Sequence, residues 1–399
     1  MEVTTTRDFA RAALTVMLVM AATPAVAQQC GGDFGSWLAG VRKEAAASGV
    51  SNRALGVLSQ VGYDKRVISR DRAQGVFAQT FKQFSDRMVA QYRLDQGAKN
   101  LRKYANVFAA VERQYGVPGP VITGFWGLET DFGANQGDFS TLNALATLAY
   151  DCRRPELFRP QLINALKIID RGDLPAAQMV GAWAGELGQT QLLPSDYLGS
   201  GVDFDGDGRV DLKNSVPDVL ATTGRFIQSM GWRAGEPWLE EVSVPANLPW
   251  DQADLAIQHP RAQWAKLGVT SRGGGALKAD GLPASLILPM GRNGPAFLAY
   301  PNFGVYLEWN QSLVYSTTAA YFATRLAGAP RVDHNDPDPG LSVDQTKQLQ
   351  QRLAARGYDV GKIDGIIGAG TRAAVKAMQL QLGLPADSWP TPDLLARLR

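Results

Sequence analysis

Apolar residues recur every three or four positions through most of the first half of the chain. Trp37, Leu38, Val41 and Ala45 form one such stripe, and Ala105, Phe108, Val111 and Tyr115 form another. This spacing lines one face of a helix, so residues 34–198 read as predominantly helical, each stripe facing a core. Ser51 stands as an N-cap before the short amphipathic run Asn52 to Leu58. Pro118 and Pro120 break the chain before the segment Val121 to Thr130. The rhythm changes over about 238–302. There Val242, Val244, Leu286, Leu288, Phe297 and Leu298 fall among Gly and Pro clusters such as Arg272-Gly273-Gly274-Gly275, which predicts short strands joined by turns. Helical spacing returns over 312–326. Residues 329–341, rich in Asp and Pro, read as a linker. Beyond it, in 342–399, Val343, Leu349 and Leu353, then Ala374, Val375, Met378 and Leu382, make two helical stripes around a Gly-rich turn. A unit this small is marginal but can fold alone. The fold class is α+β and mainly helical: a helical domain over 28–328 with a small β-rich insertion, then a C-terminal helical module.

The extreme N-terminus follows a different logic. Arg7 and Arg11 precede an apolar run from Ala12 to Ala22, and Ala25-Val26-Ala27 supplies a small-x-small cleavage pattern. Residues 1–27 are therefore expected to be a secretory signal peptide, too short for a membrane span. No later stretch approaches ~20 continuous apolar residues, so no transmembrane segment is expected. Ala-Gln-Gln-Cys around Cys30 lacks the lipoprotein pattern, which makes the product a soluble exported protein, periplasmic rather than lipid-anchored. In an oxidising compartment the only two cysteines, Cys30 and Cys152, are a disulfide candidate; two separate buried thiols are the alternative.

Composition narrows the chemistry. A net charge of +2, with no Lys/Arg run, argues against a nucleic-acid partner. The only histidines, His259 and His334, lie far apart, in a loop and in the linker. Ser-His-Asp, Cys-His and zinc hydrolysis are thereby improbable, and any bond cleavage must rest on carboxylates. No organic cofactor is expected. Glu129 is the candidate, set in Gly124-Phe125-Trp126-Gly127-Leu128-Glu129-Thr130-Asp131-Phe132-Gly133. A Glu in apolar company can keep its proton near neutral pH and act as a general acid. Taken alone, the segment favours a solvated Glu at a helix end.

Two further segments carry chemistry. Asp203-Phe204-Asp205-Gly206-Asp207-Gly208-Arg209-Val210-Asp211 matches the first half of an EF-hand calcium loop, with oxygens at positions 1, 3 and 5, Gly at 6, Arg209 at 7 and a carboxylate at 9. The twelfth position is Asn214 instead of Glu, which leaves Asp218 to close a longer loop over 203–218. The alternative is an Asp/Gly-rich turn without metal, and any calcium would be structural. In Gly181 to Tyr197, Trp183 is suited to stack on a sugar ring and Gln189 and Gln191 offer donors and acceptors. A tight helix-packing junction is the competing reading.

Together these segments resemble the membrane-bound-lytic-transglycosylase-B type of lytic murein transglycosylase, glycoside hydrolase family 103. The resemblance runs through Gly-x-Glu-Thr-x-Phe-Gly (127–133), Trp-Ala-Gly-x-x-Gly-Gln-x-Gln-x-x-Pro-Ser (183–195), Val-Asp-Phe-Asp-Gly-Asp-Gly (202–208) and Trp309-Asn310-x-Ser312-x-x-Tyr315, in order over roughly 34–328. Leu349-Gln350-x-x-Leu353, Gly357-Tyr358, Asp364-Gly365, Thr371-Arg372-x-Ala374-Val375 and Gly383-Leu384 are similar to a peptidoglycan-binding module of three short helices. The resemblance implies a lysozyme-like helical catalytic domain acting on peptidoglycan glycan strands. It implies Glu129 as the single acid/base, protonating the bond between N-acetylmuramic acid and N-acetylglucosamine, then deprotonating the muramic C6 hydroxyl to close a 1,6-anhydro ring. Gln191 and Asn310 match positions that bond substrate or hold the Glu, and Tyr315 matches an active-site tyrosine. Asp131, two residues from Glu129, points elsewhere on a helix and reads as structural. Ala182 replaces a usual serine, a loss on the order of 1 kcal/mol of hydrogen bonding. Glu186 falls where a small residue is usual, either as a surface charge or as a modifier of Glu129. A non-catalytic wall-binding scaffold and a hydrolytic muramidase are the alternative functions.

Overall fold

The computed structural model describes residues 31–73 and 79–398. The expected signal segment 1–27 and Cys30 lie outside the described residues, and with them the expected Cys30–Cys152 bridge; Cys152 itself is not a free thiol.

The apolar stripes form helices around two adjoining cores. One core gathers Phe108 and Val111 from helix Ala105–Tyr115, Ile122, Phe125 and Trp126 from helix Gly119–Thr130, and Ala319, Phe322 and Ala323 from helix Leu313–Leu326. The other gathers Val41 and Ala45 from helix Phe34–Ala47 with the apolar faces of Thr141–Tyr150 and Pro155–Arg171. Helix Val216–Ser229 serves both, sending Val219 into one and Leu220 into the other. Trp309 also packs against both, so it marks their seam.

Helix Gly119–Thr130 is apolar all round, and every residue in it except Pro120 and Glu129 is buried. The prolines do not delay it. Pro118 is its N-cap and Pro120 lies in the first turn, where a missing N–H has no intrahelical partner to lose. The helical stretch 34–198 is also less continuous than its stripes suggest. Phe139–Ser140 pairs antiparallel with Val180–Gly181, and Leu187 pairs with Leu192 across a tight turn. Gly185 and Gly188 take positive φ there, which a continuing helix would not allow.

The β-rich insertion is a five-stranded antiparallel sheet in the order His259–Pro260, Pro283–Ile287, Ala296–Ala299, Leu239–Ser243, Thr270–Ser271. Its two faces part by alternation. Val242, Leu286 and Leu298 join Trp264 in a separate core, while Leu239, Ile287 and Phe297 pack into the core that holds the Glu129 helix.

Helices Val343–Ala354, Ala369–Gln381 and Pro392–Arg397 close on Leu349, Leu353, Val375 and Leu394. Val343 and Leu382, expected in the stripes, are exposed. They stand at the first residue of one helix and at the C-cap of the next, off the faces that meet. The preceding linker is pinned along its length. Arg331 pairs with Asp86 at 2.8 Å, the Asp333 N–H donates to Glu241 at 2.8 Å, and the Asn335 amide donates to Gly294 O at 3.1 Å. The module itself docks through Lys376 to Asp254 at 2.8 Å and the Arg372 guanidinium to Leu288 O at 2.8 Å.

Two glycines test the packing around the Glu129 helix. A Cβ on Gly127 would sit 2.8 Å from Phe132 and 2.9 Å from Phe322. Gly127→Ala gains about 1 kcal/mol of helix propensity against about 1–3 kcal/mol of overpacking, so its melting temperature is expected to fall. Gly199→Ala, in helix Pro194–Ser200 with nothing within 4 Å of the added carbon, is expected to melt at or above wild type. A Gly127→Ala protein as stable as Gly199→Ala would contradict the packing argument.

Candidate active site

Glu129 is the one ionisable residue of its helix, in the last turn of an otherwise apolar segment. Its Oε1 accepts the indole N–H of Trp309 at 2.9 Å and also the phenol O–H of Tyr315. Oε2 has no hydrogen-bond partner among the described residues. Burial raises its pKa from 4.5 to about 6; the Tyr315 and Trp309 hydrogen bonds oppose the rise, and the charge of Glu186 adds to it. Both donors occupy Oε1, which leaves Oε2 as the oxygen open to carry a proton. With its pKa pushed up to about 6, the carboxyl keeps its proton to higher pH than an ordinary Glu, the property a general acid requires.

The donors are held from behind. The Trp309 indole, at the end of helix Phe303–Trp309, stacks on Phe125 with centroids 4.1 Å apart, and Phe125 also stacks on Tyr306 at 4.9 Å. Phe125 lies one turn before Glu129 on the same helix face, so one helix supplies both the acid and the platform for its donor. Tyr315 comes from the first turn of helix Leu313–Leu326, whose N-cap Ser312 accepts the Tyr315 N–H at 3.3 Å. Asn310 Oδ1 accepts the Ser312 N–H at 2.9 Å, and Ser316 Oγ donates to Asn310 O at 2.6 Å. Asn310 thus shapes the corner between the two donors without bonding Glu129. Trp309 was not singled out from sequence, although it opens the Trp-Asn-x-Ser-x-x-Tyr run; its position next to Asn310 was the available signal.

The chain turns sharply after Glu129. Asp131 and Phe132 are both left-handed, with φ of 55° and 61°. The Asp131 carboxylate accepts from Arg93 at 2.9 Å and from the Tyr92 hydroxyl at 3.1 Å, turned away from Glu129 as its spacing implies.

Loop 181–191 lies against this turn, and it contains one correction. Gln189 is buried: its Oε1 accepts the Trp126 indole N–H at 2.8 Å and its Nε2 donates to Lys213 O at 2.8 Å. It belongs to the framework, not to the groups open to a ligand. Gln191 donates from Nε2 to Gly188 O at 2.8 Å and to Gln136 O at 3.3 Å, leaving Oε1 unpartnered among the described residues. Trp183 is half-buried against the second core. The two histidines are remote from this chemistry: His259 meets Gln252 at 3.0 Å in the insertion, and His334 meets Asp86 at 3.2 Å on the linker.

In the acidic loop, ligand oxygens of Asp203, Asp205 and Asp218 come within 4.8 Å of one another. Asp207 does not join them; its carboxylate pairs with the Arg209 guanidinium at 2.9 Å on the surface. Asn214 turns to Asp211, donating at 3.0 Å. Burial raises the pKa of Asp218, backbone N–H groups of Asp211, Phe204 and Asp205 oppose the rise, and the Asp205 charge adds to it. A buried acid beside a like charge is a setting that a hard, oxygen-seeking dication relieves, so the three carboxylates fit calcium.

Residues 33–324 match the family described as Transglycosylase SLT domain, and residues 342–398 match a peptidoglycan binding domain. The chain is similar to membrane-bound lytic murein transglycosylase B of Escherichia coli (strain K12), with 29% identity over 58% of this chain. That match spans 63% of the relative's own length. It is also similar to SltB3 of Pseudomonas aeruginosa, solved in complex with NAG-anhNAM-pentapeptide: 40% identity, TM-score 0.86, covering 92% of this chain and 100% of that one. The lytic transglycosylase Slt35 of Escherichia coli, solved in complex with calcium, matches at 25% identity and TM-score 0.63, over 75% of this chain and 96% of that one.

The raised pKa of Glu129 has a consequence for stability. Its contribution is fully present below the unfolded value of 4.5 and is lost as pH rises through about 6. At 1.36 kcal/mol per unit, ionising Glu129 costs the fold about 2 kcal/mol. Glu129→Gln, measured by denaturant unfolding, is therefore expected to gain about 2 kcal/mol on wild type between pH 4 and pH 7.5. A difference independent of pH would contradict a buried, proton-holding Glu129.

Proposed function

This chain belongs to the Transglycosylase SLT domain family, and we propose that it is a lytic transglycosylase cleaving the β-1,4 bond between N-acetylmuramic acid and N-acetylglucosamine in peptidoglycan. The observation that carries this reading is the asymmetry at Glu129: two donors on Oε1 and none on Oε2. Oε2 delivers its proton to the glycosidic oxygen as the C1–O bond breaks, and the N-acetylglucosamine hydroxyl leaves. The resulting carboxylate, held by Trp309 and Tyr315, takes the proton of the muramic C6 hydroxyl. O6 then bonds to C1, closing the 1,6-anhydro ring with no water consumed. Hydrolytic glycosidases need a second carboxylate to activate water or form a covalent intermediate; here the substrate supplies the nucleophile. Support comes from the anhydro-sugar ligand held by the similar SltB3.

Trp183 provides an aromatic face for a sugar ring, Gln191 Oε1 accepts from a sugar hydroxyl, and Asn310 orients the donors. Asp203, Asp205 and Asp218 would hold a calcium ion, whose part is to neutralise their charge and brace the loop beneath helix Val216–Ser229; the calcium of the similar Slt35 supports this. Residues 28–328 are the catalytic domain and 342–399 grip the wall. Export by residues 1–27 places the enzyme in the periplasm, and no helix among the described residues is long and apolar enough to cross a membrane.

Digestion of purified sacculi, with product ends identified by mass, tests the reading. Anhydro ends are expected from wild type and a loss of at least ~10²-fold from Glu129→Gln, the scale of a lost general acid. Reducing ends, or binding without release, would overturn it. For the loop, chelator is expected to lower the melting temperature of wild type but not of Asp203→Ala; a wild-type melt unmoved by chelator would remove calcium from the account.

A further inference from the structure

A cavity of about 60 Å³ lies where the C-terminal module meets the larger domain. Gln79 and Leu313 wall it from the larger domain, Leu341 from the end of the linker, and Ile367, Arg372 and Trp389 from the module. The cavity therefore exists only while the module is docked. A water takes up roughly 10–15 Å³ of such space, so the cavity holds about four waters. That is room for a chain end the size of alanine, and too little for an acetylated sugar ring.

Two polar residues of the lining are poorly satisfied. Gln79 Oε1 is buried with no hydrogen-bond partner, an acceptor that lacks a donor. A guanidinium carries five N–H donors, yet the only bond from that of Arg372 among the described residues runs from Nη2 to Leu288 O at 2.8 Å. No carboxylate among the described residues forms an ion pair with it. The carboxylates whose charge reaches it are held elsewhere: Asp254 by Lys376 at 2.8 Å, and Asp387 by the Gln379 amide at 2.7 Å and by the Arg292 and Trp389 N–H groups at 3.0 Å. A charge taken out of water without its own counter-charge is costly, and the planar fork of Arg matches a carboxylate through two parallel bonds. The lining thus calls for one anion and one N–H donor beside the apolar walls of Leu313, Leu341, Ile367 and Trp389. The last residue of a peptide offers both on a single Cα. A bare inorganic anion would answer Arg372 but leave Gln79 and the apolar walls unmet.

We propose that this cavity binds the terminal carboxylate of a peptide ending in a small apolar residue, the chemistry of a peptidoglycan stem that ends in alanine. Arg372 takes the carboxylate, Gln79 Oε1 accepts the N–H of the last residue, and the apolar walls receive its methyl group. The choice of a wall peptide as the source rests on the function proposed above. Leu313, on the cavity wall, opens the helix that carries Tyr315, so an occupied cavity joins the module to the element holding Glu129.

Isothermal titration of the full chain with N-acetyl-D-alanyl-D-alanine tests the site. The dipeptide is expected to bind, and its C-terminal amide to bind at least ~10-fold more weakly, the scale of a lost charge-assisted hydrogen bond. Arg372→Met is expected to lose binding of the acid to the same degree. The ester analogue, in which an oxygen replaces the last N–H, is expected to bind wild type more weakly than the dipeptide, and Gln79→Met to erase that difference. Arg372→Met also removes the bond to Leu288 O that helps dock the module. Gln79→Met removes an oxygen that had no partner, so it decides if Arg372→Met does not fold. Equal affinity for acid, amide and ester, acetate bound as tightly as the dipeptide, or no binding of the dipeptide overturns the proposal. Because the titration needs no turnover, a chain that binds the dipeptide but fails to cleave sacculi would overturn the enzymatic reading and leave this site standing. A chain that cleaves sacculi but ignores the dipeptide would do the reverse.

Discussion

A carboxyl group persists in a wholly apolar helix only where something polar meets it, and for Glu129 that meeting is made by Trp309 and Tyr315 on a single oxygen. The donors lie 180 and 186 positions further along the chain. The site therefore exists only once helix Leu313–Leu326 has closed on helix Gly119–Thr130. That approach is close because small residues face each other: a Cβ on Gly124 would lie 3.5 Å from the Ala323 Cβ, in ordinary contact. Packing and proton chemistry are here one constraint. The fit that brings Tyr315 to Glu129 also buries Glu129, which disfavours its charged form.

The two cores meet beside Glu129. A single large core would seal Glu129 entirely. At Trp309, which packs against both cores, one carboxylate oxygen of Glu129 is held by two donors while the other has no hydrogen-bond partner among the described residues. The left-handed pair Asp131 and Phe132 ends the helix abruptly at this seam. Non-glycine residues in that conformation are disfavoured, and here Phe132 is wedged edge-on to Trp126 with centroids 5.5 Å apart. The turn lets loop 181–191 come against the helix end, bringing Trp183, Glu186 and Gln191 with it.

Much of this was legible in the chain itself. Helical spacing located the main helices, Gly and Pro clusters located the sheet, and the scarcity of histidine left carboxylates as the available chemistry. What escaped the sequence depends on partners distant in the chain. Gln189 looked like a ligand-facing amide because its type allows it; only the fold shows Trp126 and Lys213 occupying both ends. Trp309 drew no role from the sequence because nothing local tells an indole that stacks on Phe125 from one that also donates to an acid. Asp207 fitted the ligand spacing of a calcium loop, but Arg209 two residues on offered a nearer charge. The ends of helices misled for a local reason: Val343 and Leu382 keep the period yet lie where the helix face no longer meets its neighbour.

The clamped segment between Ala327 and Leu341 changes what the C-terminal module can contribute. A floppy tether samples many separations, and its benefit decays smoothly with its length. A strap held by Arg331, Asp333 and Asn335, leading to a module fastened by Lys376 and Arg372, offers one separation and one orientation. A strand bound at both the module and the Glu129 site would have to match that spacing to gain the chelate advantage.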